Sequence, residues 1–142
     1  MKSHRTMSAA RGLAVGGAVL IALGAVALGS SGAGAADAAK EVATAEQHAG
    51  YAAAAKSLNM AHTHLHHVVN CLVGPKGAGF DATAANPCKS FGNGAIPDTT
   101  DAAKKHDLEQ AVKEAQQGLA QNDLTAAQKG ATIVGATLKK AM

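Results

Sequence analysis

Four histidines stand within six residues, in the run AHTHLHHVVNCLVG from Ala61 to Gly74, and a cysteine follows at once. Imidazole nitrogens ligate borderline and soft metals, and the spacing decides which rings can share an ion. On a helix advancing 100° per residue, Leu58, Ala61, Leu65, Val68, Val69 and Leu72 fall on one face, the expected core side. His62 and His66 flank that face as an i,i+4 pair with Cβ atoms about 6 Å apart, close enough to hold one metal between them. Met60, His64, His67 and Cys71 fall on the opposite side. Two ligands make a weak site, so His62 and His66 need completion by His64, His67, Met60 or His106.

Residues Gln47 to Phe80 include no Asp or Glu, which disfavours the oxygen-ligand sites of calcium or magnesium. Imidazole with thioether points instead to copper, nickel or zinc, with copper favoured, or to haem iron. No C-x-x-C-H is present, so covalent haem is excluded. A non-covalent b-type haem would find few large side chains to form its pocket. His48 lies 18 residues before His66, roughly 27 Å away along a straight helix, and joins that pair only through a second subunit or a break at Gly50. Histidines gathered on one helix also repel one another when protonated, which is a pH-switch reading of the same residues.

Nothing reads as an enzyme. Cys71 stands one turn from His67, as a nucleophile stands to its base, but no acid orients the ring. The glycine-rich stretch after Gly74 lacks the G-K-[ST] ending of a phosphate loop and follows a helix rather than a strand.

The elements that must position these residues follow from the rest of the chain. Lys2, Arg5 and Arg11 precede an uncharged, mostly apolar run from Gly12 to Gly29, and Ala33-Gly34-Ala35 fits the small-residue cleavage rule. Residues 1–36 therefore read as a secretory signal peptide cleaved near Ala35 or Ala36, with an uncleaved anchor as the competing reading. The expected location is periplasmic or secreted, with no stable membrane span after cleavage. Of the 13 basic residues three lie in this leader, and none of the 10 acidic ones does, so the mature chain balances ten against ten. The overall charge of +3 is thus no argument for nucleic-acid binding.

The remaining residues 37–142 form one small helical domain. Its aromatics are Tyr51, Phe80 and Phe91, so the core is built from Ala, Leu and Val and is thin. Cys71 and Cys88 are expected to form a disulfide in an oxidising compartment, worth roughly 3 kcal/mol for a loop of this length. From Asp37 to Val73 there is no proline and a single glycine, which predicts one long first helix over 37–73, stopped by Gly74-Pro75. Its N-terminal half would protrude or pair with another subunit. Residues 74–99 hold three prolines and repeated glycines, with Phe80, Phe91 and Ile96 among them, and read as an ordered loop stapled by Cys88.

A second helix is expected over 101–121, capped by Thr100, with Leu108, Ala111, Val112, Ala115 and Leu119 on one face. A third is expected over 123–141, with Leu124, Ala127, Ala131, Val134 and Leu138 facing inward and capped by Asn122 or Asp123. The fold class is all-α: a small up-down three-helix bundle with a stapled loop and an antiparallel C-terminal hairpin.

The run HLHHVVNCLVGP (His64 to Pro75), with GFD (Gly79 to Asp81), NPC (Asn86 to Cys88) and GNGAIPD (Gly92 to Asp98), is similar to a motif block of small exported bacterial proteins of unknown function. The resemblance covers about 35 residues and implies that histidines, cysteines and loop form one unit. The function expected is that of an exported metal-binding protein that buffers, carries or senses a transition metal, alone, as a homo-oligomer or with another periplasmic protein. The alternative is a non-enzymatic helical interaction module whose first helix and stapled loop present a docking surface.

Overall fold

The computed structural model describes residues 36–142. The expected signal peptide, residues 1–36, lies outside the described residues except for Ala36. Those described form five helices and no strand: α1 (Ala38–Ala53), α2 (Leu58–Val73), the single turn α3 (Ala95–Asp98), α4 (Ala102–Leu119) and α5 (Leu124–Ala141). None of these is long and apolar enough to cross a membrane.

The expected first helix over 37–73 is in fact two, so four long helices form the body rather than three. The chain turns at Ala54–Ser57, where neither glycine nor proline demands it. Ser57 adopts an extended backbone and its hydroxyl accepts from the Met60 N–H at 3.2 Å, capping α2. The turn is fixed from a distance. Gln128 on α5 donates to the Ala55 carbonyl at 2.8 Å, and Ala55 is buried with Ala61 and Ala127, against Leu58 and Leu124. Alanine propensity alone would continue the helix; burying a second apolar face against the first overrides it. Nor does the N-terminal half protrude, because α1 packs on α2 and on α5, while α4 packs on the same two helices.

Small residues set the spacing of this body. Ala45, Ala49, Ala52, Ala111, Ala115 and Ala131 are fully buried and surround Leu65, Leu72, Leu108, Val134 and Leu138. A Cβ added to Gly118 would lie 2.9 Å from Leu65 Cδ1, and one on Gly130 would lie 3.1 Å from Gly118 Cα, so the two helices of the C-terminal hairpin approach backbone to backbone there. Asp101 rather than Thr100 caps α4, its carboxylate accepting from the Ala103 and Lys104 N–H groups; Asp123 caps α5 through Ala126.

The segment between α2 and α3 is ordered and is joined by the Cys71–Cys88 disulfide, whose sulfurs are buried. Asn70, fully buried, holds it in place: its amide donates to the Asp81 carbonyl at 2.9 Å and reaches those of Ala84 and Ala85, and its oxygen accepts from the Asp81 N–H at 2.8 Å. Where the segment returns, Gly74 and Gly94 meet back to back with φ of +66° and +116°. A Cβ on Gly94 would lie 2.5 Å from Gly74 N, so both positions require glycine for space and for backbone conformation.

Candidate metal centre

Turning the chain at Ala54–Ser57 lays α2 back along α1 and brings His48 against His64 and His67. The Nδ1 atoms of His48 and His64 are 3.1 Å apart, and those of His67 and His48 are 3.3 Å apart. Donor atoms of these three residues lie within 4.8 Å of one another, a set that among the described residues can hold a metal ion. The His67 ring stands edge to face on the other two, at 88° to His48 and 79° to His64, while His48 and His64 are tilted at 40°.

Local helix geometry accounts for the donors. His64 and His67 are three apart and share one face of α2, next to the core stripe Leu65, Val68 and Leu72 that fixes the azimuth of the helix. His48 follows the buried Ala45 and precedes the buried Ala49 on α1, so its ring falls at the boundary between core and solvent. All three are partly buried. Burial pushes His48 down to about 4, helped by repulsion from His67 and His64. Burial also lowers His64, and it lowers His67 together with the charges of His64 and His66. Rings that resist protonation present their lone pairs at neutral pH, the state a metal requires.

Without a cation the three rings hydrogen-bond to one another, each contact pairing an Nδ1–H with an Nδ1 lone pair. A metal with bonds of about 2.0–2.1 Å to nitrogen places tetrahedral donors about 3.3 Å apart, close to the two separations from His48 Nδ1.

The other expected ligands lie elsewhere. The proposed pair His62 and His66 does not form the centre. His66 turns toward the loop, its Nδ1 3.2 Å from Asp81 Oδ2. The Asp81 carboxyl is held below the usual range chiefly by Thr83, with His66 contributing. His62 is partly buried, and its Nε2 has no hydrogen-bond partner. His106 is exposed on α4 with Asp107 at 3.9 Å as its neighbour, and Met60 is exposed at the start of α2. Cys71 is closed in the disulfide and is no ligand.

His48 enters the set by another route than the second subunit or the break at Gly50 that a straight helix left open to it: the chain turns at Ala54–Ser57. The signal that would have found it is the serine at 57, a capping residue at the start of a periodic apolar run. Compared with known proteins, the chain matches no protein-family model, no curated protein and no solved structure at a significant level.

Proposed function

We propose that this is an exported helical protein that binds one transition-metal ion, copper in preference to nickel or zinc, through the imidazoles of His48, His64 and His67, and that it buffers or carries that ion. The observation that carries the reading is the convergence of three Nδ1 atoms, 3.1 and 3.3 Å apart, from two helices. An all-imidazole donor set suits copper, nickel and zinc, and copper(II) binds most tightly of the divalent series. The ligands span the turn between α1 and α2, so a bound ion would tie the two helices together much as the disulfide ties α2 to the loop. Haem fits this geometry poorly, because rings in edge contact leave no plane between them for a macrocycle. The leader-like N-terminus and the disulfide support an oxidising destination outside the cytoplasm.

Titration of the purified domain with Cu(II), Ni(II) and Zn(II), followed by native mass spectrometry, tests the reading. One ion per chain is expected, with His48→Ala weakening affinity by about 100-fold or more. Absence of saturable binding at micromolar metal, or a His48→Ala variant that binds as tightly as the parent, would overturn it.

A further inference from the structure

Three nitrogens fill one side of a coordination sphere, and the surroundings bear on what completes it. Among the described residues, the metal-ligating group contains no carboxylate or thiolate: it is His48, His64 and His67 alone. Tyr51 packs on these rings, its ring centroid 5.6 Å from that of His48 and 5.3 Å from that of His64. Its hydroxyl is engaged elsewhere, accepting from Gln47 Nε2 at 2.8 Å. Glu46, near in sequence, pairs with Lys139 at 3.6 Å, and Asp81 faces His66.

A divalent ion held here would keep its whole charge, since three neutral imidazoles cancel none of it. An uncompensated dication in a partly buried position attracts an anion strongly. Sealed structural sites use four protein ligands, whereas three-histidine sites keep a position for an outside ligand. Partial exposure of all three rings leaves that position a path to solvent.

We propose that the metal-loaded centre is itself an anion-binding site, whose remaining coordination position takes a small monodentate anion. This rests on the three-histidine reading above. An outside ligand at that position also keeps the ion exchangeable, which suits carriage better than permanent storage. The same donor chemistry can come from a free anion or from a carboxylate of a second copy of the chain; free anion is the source proposed, because the loaded site is a monomer's own.

The experiment uses the residue 37–142 domain with its disulfide intact, loaded with one equivalent of Cu(II) in a non-coordinating buffer and titrated with sodium azide. Electron paramagnetic resonance first establishes whether copper sits on nitrogen ligands. The expected result is a saturable azide-to-copper charge-transfer band with a matching change in the resonance spectrum, copper remaining bound and the protein monomeric by light scattering. Nitrogen-bound copper whose spectra ignore a large excess of azide would overturn the anion site while leaving the metal reading intact. Copper-dependent dimers that ignore azide would overturn it in favour of a second copy's carboxylate. Failure of copper to bind at all would overturn both.

Discussion

Helix α1 carries two withdrawn titratable side chains on one face, Glu41 and His48, two turns apart. The first faces the loop end of the molecule, the second the turn into α2. Both are shifted mainly by burial, and in opposite directions: Glu41 is pushed up to about 7 and His48 down to about 4. The physical cause is the same, because desolvation penalises whichever form is charged. The neighbourhoods then diverge. Glu41 Oε1 accepts from the Gly94 N–H at 2.9 Å, while its Oε2 is buried without a partner. Asp98 and Asp37 raise its pKa further. His48 faces two more rings with lone pairs. One end therefore retains a proton, and the other presents donors to a cation. The Glu41 end is closely packed beside Gly92, where a Cβ would lie 2.1 Å from Asp98 Oδ2 and 3.1 Å from Glu41 Oε1.

The largest expected effect at the loop end comes from Asn70. Asn70→Ala leaves the backbone groups of Asp81, Ala84 and Ala85 without their partner and should cost about 3 kcal/mol in urea denaturation. At the histidine end, metal present at a hundred times its dissociation constant should raise stability by about 2.7 kcal/mol. That increment should vanish in His48→Ala and persist in full in Glu41→Gln. If both variants lose it, the two ends are not independent.

Changing pH sharpens the contrast in the metal-free protein. Below pH 4.5 Glu41 is protonated whether the chain is folded or not. As pH rises from 4.5 to 7 the unfolded chain releases that proton first, so stability falls across the window and then levels. Glu41→Gln should therefore be more stable than the parent by roughly 2 kcal/mol at pH 8, with the difference closing towards pH 4.5. His48 acts with the opposite sign: as pH falls from 6.5 to 4 the unfolded chain takes the proton first and stability drops. The two slopes offset each other in the parent between pH 4.5 and 6.5, and each single variant should reveal the slope of the other. The smallest effect concerns the histidines that stay out of the centre. His62→Ala/His66→Ala should leave copper affinity within about twofold, since neither ring belongs to the converging set.

Periodicity was a reliable guide where packing followed it. The apolar face of α2 is buried at Ala61, Leu65, Val68, Val69 and Leu72 as its spacing predicts, and the C-terminal hairpin appears within a few residues of the expected bounds. The Cys71–Cys88 bridge and the ordered loop are also legible, from an even cysteine count and from aromatic residues set among glycines. Asn70 is less so, because nothing in a sequence separates a buried asparagine that organises a loop from an exposed one. Glu41 is hidden for the same reason.

What the sequence determined by itself is local: helical segments, their inward faces, the stops at Gly74-Pro75 and before Leu124, and a histidine-rich α2. The break at Ala54–Ser57 and the third histidine of the cluster were decided by the tertiary structure. An alanine-rich stretch is locally content as helix, so only the burial gained by folding α1 onto α2 and α5 bends it there. Because that bend carries His48 to His64 and His67, the centre exists only once the helices pack.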